Sequence, residues 1–158
     1  EKVTKDILVT IPAGVDTGNQ LRLANKGETG INGGPNGDLY IEFVVSKHDL
    51  YQRDENDIYI ELPITIVEAT LGCKKDVPTL YGKVSLTIPE GTQNGDKHRL
   101  KAKGVEDVNN GKKGDMYVII NVVIPKKITK DQKDLLSKLA NTNLDKDNII
   151  EKFKKHLH

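Results

Sequence analysis

Residues 10–41, TIPAGVDTGNQLRLANKGETGINGGPNGDLYI, are echoed without a gap by residues 87–118, TIPEGTQNGDKHRLKAKGVEDVNNGKKGDMYV, at a constant offset of 77. Ile11, Pro12, Gly14, Gly18, Arg22, Leu23, Lys26 and Gly27 meet Ile88, Pro89, Gly91, Gly95, Arg99, Leu100, Lys103 and Gly104. Further on, Gly34, Gly37, Asp38 and Tyr40 meet Gly111, Gly114, Asp115 and Tyr117. Glycine and proline fix where a chain turns, so turn residues recurring at fixed places impose the same turns twice. The chain is therefore expected to hold two copies of one small β unit.

Length limits how large each copy can be. A chain of 158 residues buries about 70% of the surface its unfolded form exposes, which supports two modest cores and not two large ones. With 24 Lys and Arg against 23 Asp and Glu, no global field draws in nucleic acid or an anionic membrane. Apolar residues make up 36%, aromatics 4%, and Trp is missing, so some segments are expected to be mostly solvated surface. The lone Cys73 excludes a disulfide framework or a thiolate metal cluster within the chain and points to a reducing compartment. No run of about 18 apolar residues occurs, and EKVTKDILV lacks the apolar centre of a secretory signal; a soluble chain is expected.

Period-two alternation dominates the pattern. Residues 6–11, 20–24 and 38–46 read as strands between glycine-rich turns, and the same three reappear at 83–88, 97–101 and 115–124. Between the copies, DIYIELPITI at 57–66 is strand-like, with Pro63 expected at an edge or bulge because it cannot donate to a ladder. VEATLG at 67–72 predicts a short helix stopped by Gly72, and KKDVPTLYGKV a strand turning at Tyr81 and Gly82. QRDENDI at 52–58 reads as a hairpin loop in which Asp54 and Asp57 bond backbone.

Subtracting 77 from residues 54–82, which supply the second copy's opening strand, helix and strand, gives positions −23 to 5. The first unit is accordingly expected to lack its opening, and the chain to be a fragment of a longer protein. After Pro125 the pattern changes. Thr129 and Gln132 form a capping box ahead of a stripe of Leu135, Leu136 and Leu139. Beyond the break NTNLDKDN, residues Ile149, Ile150, Phe153 and Leu157 share one face of a second helix, which reads as a docking element.

The stretches IPAGVDTG, LRLANKGETG, GDLYIEF, VEATLG, VPTLYG, KGV, GDMYV and PKKITKDQKDLLSKL together resemble the C-terminal half of a DnaJ-type J-domain co-chaperone. The likeness runs in order over residues 3 to about 140 and is greatest to the bacterial and organellar class that carries a zinc-binding insert. In that class the insert interrupts the first C-terminal domain, and this chain would begin just after it. No HPD tripeptide and no CxxCxGxG motif occurs. Stimulating a partner's ATP hydrolysis and binding zinc, which depend on those motifs, are therefore not carried by this chain.

The resemblance implies a mainly-β fold of two tandem small β-sandwich domains, the first lacking its N-terminal part, followed by C-terminal helices. The implied divisions are 1–49 for a partial domain I, 50–126 for domain II and 127–158 for a helical dimerisation segment. It further implies a role that is not enzymatic, in which unfolded client polypeptide is held in a shallow apolar groove beside a sheet edge and presented to a DnaK-type heat-shock chaperone. By motif matching, Ile7 in DILVTI and Ile41 in GDLYI fall at pocket-lining positions, with Phe43 following on the same strand face. Leu135, Leu136 and Leu139 are the implied seam of a homodimer, whose two grooves would hold one client more tightly through effective concentration. No cofactor, metal, nucleic acid or membrane enters this reading, and the implied compartment is the cytoplasm, a mitochondrion or a plastid.

An isoleucine on an alternating strand is more often plain core than pocket lining, so the residues by themselves leave both readings of Ile7 and Ile41 open. The leucine stripe likewise suits packing onto the chain's own second sandwich. Asp38 and Asp115, each after a glycine and before a strand, read as caps for turn amides rather than acid catalysts. Cys73 beside Lys74 and Lys75 reads as a small, partly buried side chain. His156 and His158 stand at an i,i+2 spacing unsuited to a helical metal site. NKGETGINGGPNG lacks the Lys-Ser/Thr of a phosphate loop and leads into a strand. Lys47, His48, Arg53, Lys74 and Lys75 form a basic set suited to an acidic tail, although a solvated surface explains each one. The competing reading is a tandem-sandwich scaffold or adhesion module binding folded protein or glycan; a hydrolase is more remote.

Overall fold

The computed structural model describes residues 4–30 and 33–157 and divides into two compact units, Glu1–Val123 and Ile124–His158. In the first unit, β1 (Gln20–Leu23) and β2 (Leu39–Glu42) form an antiparallel hairpin. They are followed by β3 (Gln52–Asp54), β4 (Asp57–Thr65), the short helix α1 (Ile66–Leu71), β5 (Cys73–Thr79), β6 (Gly82–Ile88), β7 (Lys97–Leu100) and β8 (Met116–Val123). A four-stranded sheet has the order β3-β4-β8-β7, and β5 pairs with β6 in a second sheet. The protein is mainly β with C-terminal helices, as the sequence implies.

The core lies in the second copy. Strands β4 and β8 run parallel, with Ile58, Ile60 and Leu62 opposite Met116, Val118 and Ile120. Their inward residues meet Val77 of β5 and Ile88 of β6, and Leu62 and Leu86 link the two buried clusters. Val77, Met116 and Val118 are fully buried, and each such side chain contributes about 1.5–3 kcal/mol by leaving water. The chain passes from β4 to β5 through α1, whose N-cap Thr65 accepts from Glu68 N–H while the Glu68 carboxylate accepts from Thr65 N–H. Gly72 ends that helix at φ +79°. Pro63 sits where β3 has already ended and only β8 flanks β4, so its missing N–H leaves no ladder bond unmade on the open side.

Three expectations need correction. Residues 6–11 belong to no ladder among the described residues, whereas the matching 83–88 segment is strand β6 because β5 pairs with it. Alternation supplies the pattern of a strand, and hydrogen-bonded pairing makes one. Residues 52–54, read as loop, form β3, because the tight Glu55–Asn56 turn, with Glu55 at φ +54°, lets Asp54 pair with Asp57. The strand expected over 38–46 ends at Glu42.

The second unit holds α2 (Lys130–Ala140) and α3 (Ile149–Lys154). The capping box at α2 is formed: Thr129 Oγ1 accepts from Gln132 N–H and Gln132 Oε1 from Thr129 N–H. In α3, Asn148 caps Ile150 N–H, and Lys154 pairs with Asp145 in the preceding loop. No helix among the described residues is long and apolar enough to cross a membrane.

Candidate functional site

The hairpin ladder of the repeat is reproduced in both copies. Pairs Gln20↔Glu42 and Leu23↔Leu39 in the β1–β2 hairpin become Lys97↔Ile119 and Leu100↔Met116 in β7–β8, each shifted by the same 77 positions. Phe43 N–H donates to Asn19 O at 2.9 Å, as Ile120 N–H does to Asp96 O at 2.8 Å. Gly27 N–H donates to Gly37 O and Gly104 N–H to Gly114 O. In both copies an arginine from one strand grips an aspartate at the head of the next. Arg22 Nε donates to Asp38 Oδ2 at 2.6 Å and Arg99 Nε to Asp115 Oδ2 at 2.8 Å. The other carboxylate oxygen accepts from Asn25 or Ala102 N–H, at residues held at φ +59° and +60°.

Those turn amides, foremost, and then the arginines hold the Asp38 and Asp115 carboxyls below the ordinary range. A carboxyl whose folded pKa lies below its unfolded one stabilises the fold above the unfolded pKa, and that gain is lost as pH falls through the folded value. Thermal melts are accordingly expected to hold down to the carboxylate range at about pH 4 and to fall below it. Asp38→Asn with Asp115→Asn should flatten the fall. An equally steep acid loss in the double variant would assign it to other carboxyls.

Strand alternation gives the hairpin two faces. Leu21, Leu23, Leu39, Ile41 and Phe43 are half-buried on one face, while Arg22, Tyr40 and Glu42 are exposed on the other. Ile41 lies in β2, and Phe43 is one residue past its end yet still bonded to the β1 side. Their counterparts Val118 and Ile120 are 0% and 1% exposed, so the first copy offers to solvent a face that the second copy closes. Ile7, 38% exposed, lies in the unpaired 6–11 segment. The structure brings Ile41 and Phe43 onto one face and leaves Ile7 outside the β1–β2 ladder. In the second unit, Leu135 and Leu139 are exposed on α2, and Leu136 is half-buried.

Arg53 joins the copies. Its Nη1 donates to Val15 O at 2.7 Å, its Nη2 to Gly14 O at 2.8 Å, and its Nε to Glu55 O at 2.6 Å. Gly14, at φ +86°, lies so close that an added Cβ would stand 1.7 Å from Glu106 O. Beside this junction is a cleft of about 610 Å³, lined among others by Val45, His48, Tyr51, Arg53, Leu80 and Val105. None of Ile7, Ile41 or Phe43 lines it. Of the basic residues noted in the sequence, Arg53 is committed to these carbonyls, Lys75 pairs with Glu68, and His48 Nδ1 accepts from Leu50 N–H. The role of Arg53 is invisible in the sequence, because its acceptors are backbone carbonyls. The Arg22–Asp38 clamp had a readable signal in the identical 16-residue spacing of Arg99 and Asp115.

Comparison with known proteins gives this geometry a family. A relative from Listeria monocytogenes serotype 4a (strain HCC23), named Chaperone protein DnaJ, is 52% identical over 143 residues, which is 90% of this chain and 38% of that protein. Proteins of the same name are similar in Erysipelothrix rhusiopathiae, 47% identical over 150 residues (95% of this chain, 40% of that one), and in Bacillus licheniformis (strain ATCC 14580), 52% over 139 residues (88% and 37%). The chain thus spans about two fifths of the length of these curated relatives. Residues 1–125 match the family described as DnaJ C terminal domain. With its doubled hairpin, its two Arg–Asp clamps and its β-rich first unit, the chain belongs to the DnaJ C-terminal domain family.

Proposed function

We propose that this chain is the client-holding part of a co-chaperone, binding unfolded polypeptide and presenting it to a DnaK-type heat-shock chaperone. One observation carries the reading: the β1–β2 hairpin leaves the Ile41 and Phe43 face half-open where the second copy buries it, with exposed Ile7 preceding it in the chain. Unfolded clients share apolar side chains and unpaired backbone groups, and an open apolar face beside a strand edge serves both. Likeness to proteins named Chaperone protein DnaJ supports the assignment. The work is non-covalent and uses no nucleophile, metal or cofactor. Residues 1–49, 50–126 and 127–158 are taken as the first copy, the second copy and a helical segment. In that segment Leu135, Leu136 and Leu139 pair two chains, so that two weak surfaces hold one client. The proposed setting is a reducing compartment, the bacterial cytoplasm or an organelle.

Fluorescence anisotropy with an unfolded, Leu-rich peptide tests the assignment, with circular dichroism confirming that each variant is folded. Saturable binding by the parent is expected, and Ile41→Glu should weaken it about tenfold or more, since an apolar anchor is replaced by a charge. Equal binding by both proteins would remove Ile41 from the site. Absence of binding by either would count against the co-chaperone reading of these residues.

A further inference from the structure

The apolar row of the hairpin does not stop at Phe43. Phe43 N–H donates to Asn19 O at 2.9 Å, and two residues on Val45 N–H donates to Thr17 Oγ1 at 2.8 Å. Alternate amides directed at one neighbouring segment are the pattern of a strand, in which residues two apart share a face. Val44, between them, is 83% exposed. The row of Leu39, Ile41 and Phe43 therefore continues to Val45, and Val45 is a wall of the junction cleft of about 610 Å³. Through that one residue the open face of the first copy runs into the cleft.

The volume of the cleft is that of a ligand site, a class spanning about 300–1,000 Å³. Ile58 in its lining is almost fully buried, Tyr51 and Val105 are half-buried, and Leu80, in the turn between β5 and β6, is exposed. Its polar part is cationic. Asp16, the one carboxylate among the lining residues, lies 3.5 Å from Arg53 Nε, and Arg53 is itself held by three carbonyls. Lys47 has no ion-pair partner among the described residues. His48 Nδ1 accepts from Leu50 N–H at 3.0 Å, so in the neutral ring the proton lies on Nε2 and makes that nitrogen a donor. Apolar walls beside a cation and a donor suit a large apolar side chain with a carboxylate next to it.

We infer that the cleft is a second anchor point for the polypeptide held on the hairpin face, an inference that rests on the client reading given above. Its occupant is an extended client segment that seats one apolar side chain on Ile41 and Phe43. The segment places a second, large apolar side chain in the cleft with an acidic residue beside it. From Ile41 to Val45 is four residues, about 13 Å at about 3.3 Å per residue, so the two anchors of the client stand four residues apart. A segment that reaches both points gains through effective concentration, and one with a single anchor is held by the hairpin face alone.

Fluorescence anisotropy with the full chain and short labelled peptides tests this, with circular dichroism confirming that each variant is folded. The probes carry Leu and Phe four residues apart with Glu beyond Phe, in either chain direction, on a Ser and Gly background. The tighter of the two should bind about tenfold better than the same peptide with Ala in place of Phe. With the anchors three residues apart, on opposite sides of an extended peptide, the gain should vanish. Leu80→Ser should also remove it. Lys47→Glu should cost about threefold, restored by a peptide with Lys in place of Glu. In nitrogen-15-labelled protein the amide shifts that depend on Phe should fall at Val45, Tyr51, Leu80 and Val105. If the single-anchor peptide binds and Ile41→Glu weakens it, yet Phe adds nothing or its gain survives Leu80→Ser, the inference is overturned and the client reading stands. Absence of binding by every peptide overturns both. Shifts in the cleft with none at Ile41 and Phe43 would make the cleft a separate site, which overturns the inference as well.

Discussion

Ile120→Ala is expected to destabilise the first unit by about 2–5 kcal/mol, the range for truncating a fully buried aliphatic side chain where neighbours collapse only partly. Ile120 is 1% exposed and packs with Ile64, Ala69 and Ile88. Phe43→Ala, at the matching place in the first copy, removes a larger side chain but should cost less, under about 2 kcal/mol, because Phe43 is half-exposed and less area returns to water. At about 4 °C per kcal/mol, between the values for smaller and larger domains, the two variants should melt several degrees apart. Urea titration followed by circular dichroism gives the same comparison through the midpoint, with the slope unchanged if the exposed area is unchanged. Equal losses would mean that the hairpin face is as tightly packed as the core of the second copy, and the client surface would lose its basis.

Gly114→Ala and Gly37→Ala should likewise part company. The added methyl at 114 meets Asn56 O at 2.2 Å, and because that obstacle is backbone it cannot simply swing aside, so overpacking should cost about 1–3 kcal/mol or more. Ile58 N–H to Asp115 O and Asp115 N–H to Asp57 Oδ1 are the bonds next in line to be disturbed. Amide exchange at Ile58 and Asp115 should therefore accelerate along with the loss of stability. At Gly37 the methyl enters open space, and alanine should be neutral or slightly stabilising by restricting the unfolded chain. A loss at Gly37 matching that at Gly114 would show that the space around Gly37 is already occupied.

Much of the local structure was legible because it is written in side chains near one another along the chain. The Thr129–Gln132 capping box, the stop at Gly72 and the hairpin turn before Gly82 each depend on a few consecutive residues. The turn-capping role of Asp38 and Asp115 was legible for the same reason. Strand extent was less so. Residues 6–11 alternate as well as 83–88 do, yet only the latter have β5 beside them. The three residues of β3 carry no apolar pattern and are strand only because β4 lies next to them.

For the candidate site, the sequence placed Ile41 and Phe43 on one face, since period two is a property of the backbone and not of its neighbours. What the tertiary structure decided is how far that face is closed. Val118 and Ile120 are sealed because β5 and β6 cover them, and their first-copy counterparts are not. The repeat by itself determined that this protein contains two hairpins of one design, because glycines, prolines and an Arg–Asp pair at fixed spacing specify turns and clamps locally. Only the tertiary structure decided that β4 runs parallel to β8 and that Arg53 ties the copies together through the Gly14 and Val15 carbonyls. Both rest on backbone groups, which every residue carries alike and which no side-chain pattern can therefore announce.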